Sequence, residues 1–264
     1  MVTARLVVMG GGRMGEALVS GLVGAGWAPA GELAVVEKVE ERRRQLEERI
    51  PGVVVVETAP AGAGAVIAVK PADVEEACRQ VAAAGVTQVL SIAAGVRLAA
   101  LQGWLGEAVR VVRAMPNTPS LVGQGAAAVS AGSTAGSADL DWAEGVLSAV
   151  GTVIRVPEHL LDAVTGLSGS GPAYVFLVVE ALIDAGVLAG LPRDATVALV
   201  VQTLLGSAHM LAESGEGPEA LRAAVTSPGG TTAAGLAVLE DRAVRGAFIE
   251  AVQAAVARSR QLGA

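Results

Sequence analysis

Residues 7–18 read Val7-Val8-Met9-Gly10-Gly11-Gly12-Arg13-Met14-Gly15-Glu16-Ala17-Leu18, an apolar run that halts in glycines and resumes with helical spacing. Gly10-x-Gly12-x-x-Gly15 follows a strand candidate, Arg5–Met9, and opens a helix candidate, Met14–Ala25, in which Ala17, Leu18, Gly21, Leu22 and Ala25 share one face. In that context the first glycine permits a tight turn, the second lets a pyrophosphate approach the backbone, and the third lets the helix pack on the strand. The phosphates then meet a helix N-terminus, where unpaired N–H groups and the helix dipole favour anions. The stretch reads as a dinucleotide-binding loop; the competing reading is a glycine-rich turn with no ligand.

Glu37, at the end of the next strand candidate (Glu32–Glu37), supports the first reading. An acid there accepts hydrogen bonds from the adenosine ribose and repels a 2′-phosphate, which leans toward NAD. Lys38 and Arg42 to Arg44 pull the other way, although Glu40, Glu41, Glu47 and Glu48 nearby favour reading the arginines as a solvated helix face. Further strand candidates follow at Val53–Val56, Ala65–Lys70, Val86–Ala93, Val109–Arg113, Gly125–Ser130 and Thr152–Val156. Apolar strands alternating with helices imply parallel strands joined by crossovers, with both sheet faces covered.

After Pro157 the strand signals fade, and the chain reads as helices separated by turns at Ser168–Pro172, Gly190–Pro192, Gly215–Pro218 and Ser227–Gly230. The expected architecture is a doubly wound α/β domain over residues 1–157 followed by an all-α domain over 158–264. Ligands of open α/β sheets bind beyond the C-terminal ends of the strands. Three more such ends are Ala68-Val69-Lys70-Pro71, Ser91-Ile92-Ala93-Ala94-Gly95 and Ala114-Met115-Pro116-Asn117-Thr118-Pro119, and Lys70 is one of only two lysines.

The composition narrows the partners. Across 264 residues, 52% are apolar and the net charge is −7, with no basic tract beyond Arg42–Arg44, so nucleic acid is not an expected partner. One cysteine, Cys78, and two histidines, His159 and His209, supply neither a disulfide framework nor a zinc cluster, so no metal is expected and the setting reads as reducing and cytoplasmic. No signal-peptide pattern precedes the first strand. Mean hydropathy is +0.55. Its main source, Ala195–Ala212, is interrupted by Gln202, Thr203, Ser207 and His209 and reads as a helix buried between subunits rather than a membrane span.

Two stretches of the second half suit a small anion. Thr165-Gly166-Leu167-Ser168-Gly169-Ser170-Gly171-Pro172-Ala173-Tyr174 and Thr226-Ser227-Pro228-Gly229-Gly230-Thr231-Thr232 each place hydroxyls and glycines ahead of a helical run. With these stretches, the glycine loop, Val69-Lys70-Pro71 and Met115–Pro119, nearly the whole chain resembles the pyrroline-5-carboxylate reductases. The resemblance implies a Rossmann-type domain, a helical dimerisation domain, and reduction of 1-pyrroline-5-carboxylate to L-proline by NADH or NADPH, the last step of proline biosynthesis. It implies homodimers, and beyond them a ring of five dimers, a homodecamer. Matching positions give cofactor contacts at Gly10, Gly11, Gly12, Arg13, Met14 and Gly15, at Ala68, Val69, Lys70 and Pro71, and at Ala93, Ala94 and Gly95. They give substrate contacts at Ser227, Gly230, Thr231 and Thr232, with Glu158 and Thr165 nearby. The chain departs from the pattern at Val56-Glu57-Thr58-Ala59, where many members carry an asparagine that touches the adenosine ribose.

Reducing a cyclic imine asks little acid–base chemistry of the protein, because the ring nitrogen can arrive protonated; orientation is what is needed. Thr232 is the candidate to hydrogen-bond that nitrogen, with Ser227 and the Gly230-Thr231 backbone holding the carboxylate. The second half contains no lysine. That disfavours the rival β-hydroxyacid dehydrogenases, whose family pattern needs a lysine in the helical domain. A nicotinamide-sensing binding protein, the non-enzyme alternative, would not need the Thr226–Thr232 stretch. Cys78 and both histidines read as structural.

Overall fold

The computed structural model describes residues 4–263. The first half runs β1 (Ala4–Met9), α1 (Arg13–Gly24), β2 (Leu33–Val36), α2 (Glu40–Arg49), β3 (Val54–Val56) and β4 (Gly62–Ile67). It continues with α3 (Val74–Ala83), β5 (Gln88–Ser91), α4 (Leu98–Leu105), β6 (Arg110–Met115), β7 (Gly125–Ala131), α5 (Ser137–Leu147) and β8 (Gly151–Arg155). The strands form one sheet in the order β3-β2-β1-β4-β5-β6-β7-β8. The chain winds from β1 outward to β3, then returns to the other side of β1 with β4. The strand order therefore reverses between β1 and β4, and a crevice opens there beyond the strand ends.

Alternate residues of β1 explain the two covered faces. Leu6 and Val8 point into a core shared with Leu18, Val19 and Leu22 of α1, while Val7 and Met9 pack with Val74, Cys78 and Val81 of α3 on the opposite face. Burying each such side chain contributes about 1.5–3 kcal/mol, so the central strand is fixed from both sides. Gly21 of α1 lies flat against the turn before β8, where an added Cβ would meet the Ala149 carbonyl oxygen at 2.9 Å.

The expectation of parallel pairing fails once. β6 and β7 are antiparallel, with Val112 opposite Ala131 and Met115 opposite Ala128, whereas β7 and β8 are parallel again. The link between β6 and β7 is a short 3-10 turn, Thr118–Val122, and no crossover helix fits in it.

The second half is helical: α6 (Leu161–Val164), α7 (Gly171–Leu188), α8 (Arg193–Glu213), α9 (Pro218–Ala224), α10 (Thr231–Asp241) and α11 (Val244–Leu262). The turn expected at Ser168–Pro172 is instead a π-helical turn, Thr165–Gly169, that leads almost directly into α7. Ala243 takes a left-handed conformation, φ 53°, to separate α10 from α11. Two compact units result, one of residues up to Pro172 with those from Ala254 onward, the other Ala173–Gln253.

In the second unit the helices leave much apolar surface uncovered by their own chain. Ile183 is the buried residue of α7 and Thr196 that of α8. Phe176, Leu177 and Leu188 are 62%, 65% and 90% exposed. By length and composition alone, 158–188 and 193–213 are apolar enough to cross a membrane.

Candidate active site

The glycine loop leaves β1 and enters α1, and each glycine has its own reason. Gly10 has φ +109°, and a Cβ on it would meet the Ala68 carbonyl oxygen after β4 at 2.8 Å, so a side chain there conflicts with both backbone and space. At Gly15 an added Cβ would overlap the Gly10 carbonyl oxygen of the loop and stand 3.4 Å from Val8 Cγ1 of β1, so the helix packs on the strand as the spacing predicts and on the loop as well. Gly12 differs: its added Cβ would meet no atom within 4 Å. Its backbone is extended, φ −66° and ψ −176°, and it caps α1 with no side-chain bond to the helix N-terminus. This glycine keeps a cradle open at a helix N-terminus, which fits a dinucleotide's pyrophosphate.

The cradle opens on a cleft of about 390 Å³ lined by Gly10, Gly12, Glu37, Lys38, Val69 and Lys70, among others. Both carboxylate oxygens of Glu37 are engaged, Oε2 accepting from the Gly11 N–H at 3.1 Å and Oε1 from the Val39 N–H at 2.9 Å. Glu37 thus braces the glycine loop while facing the cleft, with lone pairs left for ribose hydroxyls. Lys70 caps the 3-10 turn Pro71–Asp73 that bounds the other side.

The arginines do not form the solvated face expected of them. Arg42 Nε donates to the Gly11 carbonyl at 2.7 Å, and its other end is bound to Glu16 of α1. Arg43 Nη1 donates to the Glu37 and Lys38 carbonyls at 3.0 and 2.8 Å. Arg44 alone lies in solvent, paired with Glu40 along the helix. Burial opposes ionisation of Glu16, but Arg42 and Arg49 together outweigh it and hold this carboxyl below its usual range. These bonds end on backbone carbonyls or on a distant helix, so no local charge pattern announced them.

Ala93, Ala94 and Gly95 follow β5 on the same edge of the sheet but do not line that cleft. Ala93 is buried, Ala94 is exposed, and Gly95, at φ +78°, lies beside the end of α11, where an added Cβ would sit 3.6 Å from the Leu262 carbonyl oxygen. Glu158 is held by its own unit: Oε1 accepts from the Leu98 N–H at 2.7 Å and from Arg113 at 2.9 Å. Arg113 is 7% exposed, so this carboxylate is the counter-charge that lets an arginine sit in the sheet. Thr165 Oγ1 donates to the Leu161 carbonyl at 2.8 Å at the start of the π turn.

Asn117 ties two motifs whose connection the sequence did not reveal. Its Nδ2 donates to the Ser168 carbonyl of the π turn at 3.0 Å, and its Oδ1 accepts from the Ala126 N–H at 2.8 Å. Gly169 completes that contact, since a Cβ there would stand 2.7 Å from Met115 Cε. Single π turns of this kind concentrate at functional sites.

In the second unit, Thr226–Gly230 turns into α10 with Gly230 as its N-cap. Gly229 has φ +72°, and a Cβ on Gly230 would meet Ser227 Oγ at 2.5 Å, so glycine is what lets this hydroxyl fold over the turn. Ser227, Thr231 and Thr232 are exposed there, at the positive end of an eleven-residue helix. Cys78 is fully buried, and burial first, then the Glu75 charge, push its thiol to about 12, which removes it from nucleophilic chemistry.

Likeness to known proteins runs the length of the chain. Residues 158–262 match the family model for pyrroline-5-carboxylate reductase dimerisation, and residues 5–95 match one described as NADP oxidoreductase, coenzyme F420-dependent. A pyrroline-5-carboxylate reductase of Synechocystis sp. is 44% identical over 267 residues, covering 99% of each chain. The structure of a pyrroline-5-carboxylate reductase from Coxiella burnetii matches with a TM-score of 0.93 at 37% identity over 99% of both chains. That of the Plasmodium falciparum pyrroline carboxylate reductase, solved with NADP bound, matches at 0.86 and 30% identity over the full length of both. Identity of this order over the full length, with both halves matched, means that the chain belongs to the pyrroline-5-carboxylate reductase family.

Proposed function

We propose that this chain reduces the C=N bond of 1-pyrroline-5-carboxylate to give L-proline, with NADH or NADPH bound in the cleft beyond β1 and β4. The observation that carries the cofactor half is Gly12, the one glycine of the motif whose side-chain space stays open while Gly10 and Gly15 are closed by packing. The reduced nicotinamide supplies a hydride to the imine carbon. The chain's own work is to hold the two reactants together. Gly10 to Gly15, with the N–H groups of Arg13 and Met14, bind the phosphates; Glu37 takes the adenosine ribose; Ala68 to Pro71 and Ala93 to Gly95 line the path toward the nicotinamide. Ser227 with the Gly230-Thr231 backbone holds the substrate carboxylate at the start of α10, and Thr232 accepts from the protonated ring nitrogen. The family pattern also assigns Glu158 and Thr165 to substrate binding; each is bonded within the first unit, Glu158 to Leu98 and Arg113 and Thr165 to Leu161.

The functional division then falls after Pro157, residues 1–157 for the dinucleotide and 158–264 for substrate and self-association. The uncovered faces of α7 and α8 support burial against a second copy; assembly of such dimers into a decamer rests on the family resemblance alone. A net charge of −7 supports the absence of a nucleic-acid partner, the lack of a disulfide framework supports a cytoplasmic setting, and Gln202, Thr203, Ser207 and His209 within α8 support a subunit interface rather than a membrane span. The direct test follows loss of reduced-nicotinamide absorbance with pyrroline-5-carboxylate and each cofactor; no turnover with either would reject the function.

Two substitutions probe the assigned roles. Thr232→Ala should lower kcat/KM for the imine by about one to two decades, since a hydrogen bond to a charged group is worth about 1.5–3 kcal/mol. Dinucleotide affinity should stay the same; full activity in the variant would leave Thr232 as a helix-end residue only. Glu37→Ser should move the NADPH/NADH ratio of kcat/KM toward NADPH roughly tenfold, as repulsion of the 2′-phosphate disappears. Because Glu37 also braces Gly11 and Val39, the NADH rate itself should fall. An unchanged ratio would show that the 2′-position is read elsewhere.

A further inference from the structure

The end of α11 returns to the sheet and meets the loop after β5. Arg97 Nε donates to the Gly263 carbonyl at 2.6 Å, and a Cβ on Gly263 would stand 3.0 Å from the Gly95 carbonyl oxygen. Two glycine backbones thus lie against each other, held by one guanidinium. Behind them Ser259, 9% exposed, donates to Asp162 of α6 at 2.6 Å, so the last turn of the helix is itself anchored. The other end of the same loop is fixed by Glu158, which accepts from the Leu98 N–H and from buried Arg113. Arg97, Arg113, Glu158, Asp162 and Gly263 surround a small cavity of about 110 Å³. The Ala93–Arg97 loop is therefore held from both sides, although its one left-handed residue, Gly95, gives it little stiffness of its own.

The place of this loop gives the contact a use. With the adenosine ribose at Glu37 beyond β2 and the phosphates at Gly12, a dinucleotide must extend over the ends of β4 and β5. The loop after β5 then meets the nicotinamide end. We propose that the end of α11, through Gly263 and Arg97, is a positioning element for the nicotinamide half of the cofactor: it sets the backbone of Ala93–Gly95 before the cofactor arrives. This rests on the cofactor placement proposed above. Arg97 touches neither reactant; it acts through the Gly95 backbone, and ordering that loop in advance spares the cost of ordering it on binding.

The test compares NADH with ADP-ribose, which has the adenosine and both phosphates but lacks the nicotinamide. Arg97→Ala removes the guanidinium, and Gly263→Val wedges the same contact apart. In both variants NADH should bind about five- to tenfold more weakly, the range expected for one lost hydrogen bond, while ADP-ribose affinity stays within about twofold of wild type. The fluorescence of bound NADH should weaken in parallel, and Arg97→Lys, which can reach the same carbonyl, should restore most of the loss. Unchanged NADH affinity in both variants would overturn the proposal, as would equal weakening of NADH and ADP-ribose, which marks general damage to the first unit. If wild-type protein bound neither nucleotide, the cofactor placement itself would fall and take this proposal with it.

Discussion

Gly12→Val should abolish useful dinucleotide binding without unfolding the protein. An added Cβ at Gly12 meets nothing within 4 Å, and φ −66° with ψ −176° is open to any residue, so the fold has no reason to resist. The branched side chain fills the space through which the pyrophosphate must approach the N-terminus of α1. Loss of the charge-assisted bonds from that helix end should raise Kd for NADH and NADPH by about 100-fold or more, equivalent to ~2.8 kcal/mol. Gly15→Val is the contrasting case. Its Cβ overlaps the Gly10 carbonyl oxygen, and Gly10 has little room to shift, since even an added Cβ there would lie 2.8 Å from the Ala68 carbonyl oxygen. That variant should lose binding and also about 1–3 kcal/mol of stability from overpacking. Calorimetry and nucleotide titration separate the two: Gly12→Val with unchanged Tm and wild-type affinity would show that the pyrophosphate does not pass there.

The same glycines show what a sequence can and cannot disclose. Their roles were legible because each demand is local: a positive φ, a close carbonyl, an open cradle. The strands were legible because a parallel strand covered on both faces must be apolar throughout, as Leu6–Met9 and Ala65–Ile67 are. The direction of β7 was legible in principle, since residues 116–124 are too few for a crossover, but the alternating pattern suggested otherwise. Ala243 could not be anticipated, because a left-handed alanine costs about 1–2 kcal/mol and nothing in its type advertises it. Arg42, Asn117 and Arg97 were hidden for another reason. Each bonds to a backbone carbonyl, an acceptor every residue owns, so the partner leaves no trace in sequence. The tie between Gly263 and the loop after β5 adds distance to that anonymity.

Val178→Asp and Leu182→Asp should remove dimerisation and activity together. The two positions lie four apart on α7, hence on one face, and Leu182 is 47% exposed in the single chain. α8 shows the same surplus, with Leu199, Leu205 and Met210 each more than half exposed, and the family model matched over 158–262 is one of dimerisation. A second copy can cover these faces with an interface of about 2,000 Å² or more. Twofold symmetry doubles each error, because both protomers then bury the new carboxylate. At about 3 kcal/mol per uncompensated buried charge, a pair costs ~6 kcal/mol, roughly four decades in the dimer constant. The Ser227–Thr232 turn stands in the same helical unit, whose helices bury few residues against their own chain. A monomer should therefore hold the substrate-carboxylate site too loosely for hydride transfer, a step sensitive to displacements of about 1 Å. Sedimentation of each variant beside its activity decides the matter. Inactive monomers that still bind ADP-ribose through the first unit are the expected result, and an active, well-folded monomer of 26.2 kDa would overturn it.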